Sequence, residues 1–195
     1  GTFGLHVLLP ALPAIADAVG SRIEVISSSI APAASAPDNG NPSSSVGRDS
    51  GSTGTLNISA GGKLVITGNA LSTATNSRTT TLNIGGFSDT TLGGTGTASV
   101  TGPGSEMRVE GVDGYIVVGR NSIGTLNLNN QALLATTRLN VGRAGSGVGT
   151  LNVDNSFMEL SGQFTSSGAN AGFTVGNLGG SGTATITNNS LVTIT

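Results

Sequence analysis

Val141-Gly142-Arg143-Ala144-Gly145-Ser146-Gly147-Val148-Gly149-Thr150-Leu151-Asn152-Val153 decides the reading of this chain. An apolar run ends in Val-Gly, a glycine-rich bend follows, and the chain re-enters an extended phrase of the type Gly-Thr-Leu-Asn-Val. Val118-Gly119-Arg120 leads in the same way into Gly124-Thr125-Leu126-Asn127-Leu128, and Val46-Gly47-Arg48 into Gly54-Thr55-Leu56-Asn57-Ile58. Two looser copies complete the series: Ile84-Gly85-Gly86 before Gly96-Thr97-Ala98-Ser99-Val100, and Val175-Gly176-Asn177 before Gly182-Thr183-Ala184-Thr185-Ile186. Five copies of one supersecondary unit in series imply a stacked repeat.

Each unit divides into three strand-length pieces. The Gly-Thr-Leu-Asn pieces lie at 54–59, 96–101, 124–129, 149–153 and 182–187. After a short bend come 63–67, 106–110, 131–134, 157–161 and 190–195. The pieces ending in Val-Gly or its equivalent lie at 79–84, 114–118, 137–141 and 172–175. Successive side chains on a strand point to opposite faces. Leu56 and Ile58, or Leu151 and Val153, therefore share one face and the asparagine takes the other. The same alternation turns Leu64/Ile66, Met107/Val109 and Met158/Leu160 inward. Short alternating strands repeating every 25–38 residues or so predict an all-β fold, a parallel β-solenoid with three strands per coil and about five coils. A β-propeller is the structural rival, weakened because the runs come in threes and lack the aromatic signatures of blade repeats. Glycines fall at the corners, and the unequal spacing of the copies is taken up in loops expected to project at 70–78, 87–94 and 163–171.

Composition agrees with a thin aliphatic core. Among 195 residues 32 are glycine, only 9% are charged and 3% aromatic, and the formal net charge is −2. Disorder usually couples low hydrophobicity with high net charge, which is not the case here. The eight cations do not cluster, so nucleic acid is a poor partner. Without cysteine there are neither disulfides nor thiolate metal sites. No apolar run reaches the roughly 18–20 residues that a transmembrane helix requires.

Residues 1–45 read as a separate region, an N-terminal cap or docking arm with a Pro/Ser/Ala linker, ahead of the repeat domain at 46–195. Five of the six prolines lie in it. Residues 13–19 suit a short helix with Pro13 in its first turn and Gly20 at its C-terminal end. The alternation of Ile23 and Val25 before Ile30 suits one strand.

The phrases Val118-Gly119-Arg120…Gly124-Thr125-Leu126-Asn127-Leu128 and Val141-Gly142-Arg143…Gly149-Thr150-Leu151-Asn152-Val153 resemble repeats of bacterial autotransporter passenger domains and related surface β-solenoid proteins. The resemblance covers roughly residues 46–195. It implies a scaffold and an extracellular or cell-surface location, not an activity.

Catalytic chemistry finds little support. The lone histidine, His6, sits in an apolar run, and no Gly-x-Ser-x-Gly elbow accompanies it. The best candidates for sugar-cleaving carboxylates are Glu106 and Glu110 flanking Arg108, with Asp113 nearby and Glu159 on a neighbouring coil. A solvated charge ladder explains them more simply. Gly179-Gly180-Ser181-Gly182-Thr183 lacks the aspartate of a calcium-binding nonapeptide, and Gly93-Gly94-Thr95-Gly96 lacks the lysine of a phosphate loop. We therefore expect no enzyme activity, catalytic residue, cofactor or metal. Asn57, Asn127 and Asn152 recur at one outward position and should stack as a structural ladder. Arg48, Arg120 and Arg143 recur after Val-Gly and should splay into solvent or pair with Asp49, Asp154 or Glu159.

The sequence ends on strand-forming residues, Ser190 to Thr195, with no capping pattern after them, and a bare final coil offers unpaired N–H and C=O groups. Either further chain has been removed or another copy covers that end, and the second alternative leads to the expectation of a head-to-tail polymer. Leu5, Val7, Leu8, Leu9, Ile23, Val25 and Ile30 would meet Leu191, Val192 and Ile194 of a neighbour. The alternative is a monomeric adhesin stalk that holds a surface or glycan through its corner loops.

Overall fold

The computed structural model describes residues 22–27, 43–67, 80–110, 114–161 and 172–195. These residues form sixteen strands and no helix, and fifteen of the strands wind into five three-strand coils. The first coil comprises β2 (Ser43–Val46), β3 (Thr53–Ser59) and β4 (Lys63–Thr67). The second comprises β5 (Thr81–Ile84), β6 (Thr95–Thr101) and β7 (Glu106–Glu110). The third has β8 (Tyr115–Arg120), β9 (Ile123–Asn129) and β10 (Leu133–Thr136), and the fourth β11 (Arg138–Arg143), β12 (Val148–Asp154) and β13 (Phe157–Leu160). The last has β14 (Phe173–Asn177), β15 (Ser181–Thr187) and β16 (Leu191–Ile194). Corresponding strands pair in parallel, giving three five-stranded sheets: A (β3, β6, β9, β12, β15), B (β2, β5, β8, β11, β14) and C (β4, β7, β10, β13, β16). The three-strand parallel solenoid expected from the repeat is the architecture found. A sixth strand, β1 (Arg22–Ser27), pairs antiparallel with β3, Ile23 opposite Ile58 and Val25 opposite Leu56. The expected helix at 13–19 lies outside the described residues, as do Leu5, Val7, Leu8, Leu9 and Ile30.

Register copies the sequence repeat. Gly54, Gly96, Gly124, Gly149 and Gly182 form one row, Thr55, Thr97, Thr125, Thr150 and Thr183 the next outward one. The core is the column of inward side chains from all three sheets. Ile58, Leu82, Met107, Ile116, Leu126, Leu139, Leu151 and Met158 are each at most 2% exposed. At roughly 1.5–3 kcal/mol per buried side chain, this aliphatic column is the principal source of stability.

The Val-Gly and Gly-Thr glycines meet at the corner between sheets B and A. Gly142 has φ +74°, and a Cβ there would lie 1.9 Å from the Ser181 carbonyl oxygen. A Cβ on Gly149 would lie 2.2 Å from the Gly142 nitrogen. The same conflict arises at Gly47 against Thr95 and at Gly85 against Ile123, so this corner is backbone packed on backbone. The structure differs here from the expected boundary. β2 and β5 end at Val46 and Ile84, but β8, β11 and β14 do not stop at the valine and pass through the glycine to Arg120, Arg143 and Asn177. At the corner between sheets A and C the left-handed turn is made by Ala60 (φ 52°) and Gly102 (φ 95°) in the first two coils and by asparagine in the last three, Asn130 (φ 56°), Asn155 (φ 45°) and Asn188 (φ 52°). Asparagine tolerates that region better than most residues. Ser105 and Ser156 sit fully buried just beyond, their hydroxyls donating to the carbonyls of Thr101 and Asp154 at 2.8 and 2.9 Å.

Candidate functional site

Three surfaces carry features beyond the scaffold: the outer face of sheet B, a groove along sheet C, and the outer face of sheet A. Strands β5, β8 and β11 are buried on both faces. On the outward side Asn83 and Val117 are at 0% exposure, and Tyr115, Arg138 and Asn140 are nearly as enclosed. Asn140 donates its amide to the Tyr115 hydroxyl at 2.5 Å, and the guanidinium of Arg138 lies 4.3 Å over the Tyr115 ring. Burial pushes the Tyr115 phenol above its ordinary pKa, only partly opposed by Arg143, Arg138 and Arg120.

Asp89 joins this layer from the loop between β5 and β6. Its Oδ1 accepts from Arg120 Nε at 2.8 Å and from Arg143 Nε at 2.9 Å, and Arg143 also donates to Oδ2 at 2.8 Å. Partial burial would raise the Asp89 pKa, but the bonds and charges of Arg143 and Arg120 outweigh it and hold the carboxyl below its ordinary range. One carboxylate of the second coil thus clasps the third and fourth. The repeat predicts that the arginine column reaches solvent, Asp49, Asp154 or Glu159. Instead Arg120 and Arg143 share Asp89, and Arg48 stacks 4.3 Å from the Phe87 ring. Like charges about 4.8 Å apart on adjacent rungs repel, so a shared counter-ion relieves both. The loop at 87–94 packs down at its Phe87 and Asp89, while Thr90, Thr91 and Leu92 stand exposed. Asp154 pairs elsewhere, accepting from the side chains of Thr187 and Asn188.

The groove, of about 480 Å³, runs along the ends of the sheet-C strands and is lined by Arg108, Glu110, Thr137, Glu159 and Thr193 among others. Register places Arg108, Ala135 and Glu159 in one outward row, so Glu159 lies two coils from Arg108, not one. Arg108 engages Glu106 and, at 3.4 Å, Glu110, while Lys63 reaches Glu106 at 3.1 Å. Burial raises the Glu106 pKa, yet Arg108 and Lys63 together hold it below its ordinary value. A glycosidase general acid needs the opposite shift, so Glu106 is placed as the anchor of an ion-pair ladder. Asp113 lies outside the described residues. Among the described residues no group of three or more acidic, histidine or cysteine side chains could hold a metal ion, and no helix is long and apolar enough to cross a membrane.

The asparagine ladder forms on the outside of sheet A. Asn152 donates to Asn127 at 2.8 Å and Asn127 to the Ser99 hydroxyl at 3.3 Å, with Asn57 in the same row opposite Ser99.

The last coil differs from all the others. Val141, Val153 and Leu160 of the fourth coil are at most 1% exposed, but their counterparts Val175, Ile186 and Ile194 are 43%, 45% and 53% exposed. Val192 is partly buried against the core, and Leu191, on the outward face, is 57% exposed. Ile23 and Val25 belong to β1 at the opposite end of sheet A, so the structure sets the described members of the proposed contact at the two ends of the stack. No family model, curated protein or solved structure matches this chain.

Proposed function

We propose that the chain is a non-enzymatic structural protein of the extracellular surface that assembles head to tail into a filament. The observation that supports this reading is the stacking itself: each coil adds to the one before by parallel pairing in the same register, so the face of a coil is complementary to a further rung of the same kind. A face of this chemistry is satisfied by another β rung, which adds backbone hydrogen bonds and buries the aliphatic column together. Among the described residues the other end of sheet A is β1, which pairs with β3, and its outer edge is the partner for β15 of a second copy. Two different surfaces meeting make a heterologous contact, which propagates as a filament when the rotation does not close. The extracellular part of the proposal rests on the resemblance of the repeats to surface solenoids.

Negative-stain microscopy and light scattering of the purified chain test it. Fibres or concentration-dependent polymers are expected, and they should be lost on Ile186→Asp and on deletion of residues 1–30. A monodisperse monomer at high concentration would overturn the filament in favour of a stalk. A closed dimer would show that two last coils meet tail to tail instead.

A further inference from the structure

The outer face of sheet A is unlike the rest of the surface. Five seven-residue strands of identical phase, β3, β6, β9, β12 and β15, present twenty outward positions. Ten of these are threonine and one, Asp154 at the margin, is charged, so the face offers hydroxyls, amides and methyls with almost no field. The central row is threonine on every rung: Thr55, Thr97, Thr125, Thr150 and Thr183. Parallel pairing sets a rung spacing of about 4.8 Å, and outward residues two apart on a strand are separated by roughly 6.6 Å. Threonine is β-branched and restricted at χ1, so a row of them holds its hydroxyls and methyls in step. In the adjacent row the bonds from Asn152 to Asn127 and from Asn127 to Ser99 fix the amides along the stack.

We propose that this face binds ice, its threonine and asparagine rows ordering water into a lattice that joins the crystal. The face measures roughly 20 by 20 Å, about 400 Å². That is half the ~800 Å² per partner of a stable protein interface, which disfavours a protein occupant. No aromatic ring stands on these five strands to stack on a sugar. What remains is a rigid, neutral, two-dimensionally periodic array of hydrogen-bonding groups, and its complement is a surface that is itself neutral and periodic. Crystalline water meets that description without any change of conformation in the protein. The inference rests on sheet A alone and does not depend on end-to-end assembly.

The test is ice-crystal morphology and thermal hysteresis of the purified chain by nanolitre osmometry, together with its partition into slowly grown polycrystalline ice. The wild-type chain should facet crystals, show hysteresis and enter the ice. Thr125→Tyr raises a bulky ring at the centre of the array and should abolish hysteresis, and Thr125→Val, which keeps the shape but removes the hydroxyl, should weaken it. Glu159→Tyr, with the same ring on sheet C, should behave as wild type, with circular dichroism confirming the fold of each variant. Rounded crystals and exclusion of the wild-type chain from ice would overturn the proposal. So would full hysteresis in folded Thr125→Tyr, or retention on microcrystalline cellulose or chitin with no effect on ice.

Discussion

Sheets A and B belong to the same coils, run parallel in the same register and share one core, yet their outer faces have nothing in common. Sheet A repeats threonine on every rung and asparagine, serine or threonine beside it, with Asp154 alone charged, and leaves them partly open to solvent. Sheet B changes its residues at every rung and encloses them, with Asn83 and Val117 inaccessible and Arg120 and Arg143 gathered around Asp89. The difference separates two kinds of constraint. Stacking fixes what points inward and what sits at the corners, because each coil must fit the one before it. It leaves the outward positions free, and each sheet has used that freedom differently.

The largest expected effect tests the corner that joins the two sheets. Gly142→Ala puts a Cβ into the Ser181 carbonyl at a backbone angle that alanine resists, and should cost about 4 kcal/mol or more in urea unfolding, or prevent folding. Gly51→Ala, at a similar φ of +79° but with nothing within 4 Å, should cost only the strain of about 1–2 kcal/mol. If the two variants were equally stable, backbone contact would not be what fixes the corner.

Next come the inner faces, which the comparison holds to be equivalent. Leu151→Ala on sheet A and Leu139→Ala on sheet B, both fully buried, should each cost about 3–5 kcal/mol. A much larger loss on one sheet would mean that the core is not shared evenly.

The outer faces should then diverge. Asp89→Ala removes three bonds to two arginines and should cost roughly 2–3 kcal/mol, whereas Asn127→Ala on sheet A should cost about 1 kcal/mol. Acid sharpens the contrast. Asp89 and Glu106 have folded pKa values below their ordinary range. The stability they contribute is fully present above the unfolded values near 4 and is lost as pH falls through the folded ones. Melting temperature should therefore hold from pH 8 to about 5, drop below about pH 4, and drop less steeply in Asp89→Asn. The smallest effect belongs to Glu159→Gln on the exposed row of sheet C, within about 0.5 kcal/mol of wild type.

What the sequence reveals follows the same division. The inward alternation in Leu56-Asn57-Ile58 or Met107-Arg108-Val109 was readable because the core imposes period two on every rung. So was the asparagine ladder, because stacked residues share a register. The passage of β8, β11 and β14 through Val-Gly was not readable, since a glycine between two apolar runs looks the same whether it ends a strand or bends one. The uninterrupted run Tyr115-Ile116-Val117-Val118 did carry a signal of burial on both faces, as continuous apolar strands do. The pairing of Asp89 with Arg120 and Arg143, 31 and 54 residues away, had no signal at all. It lies in the link from β5 to β6, which is longer than the links at the same corner of the other coils, and its position follows from how that link packs.

The glycine corner has one further consequence. Because it fastens each coil to the next through main chain alone, the joint does not depend on which side chains either coil carries. A whole turn of the screw could be duplicated or excised between matching glycines, lengthening or shortening the rod while its two tips and its flanks kept their character.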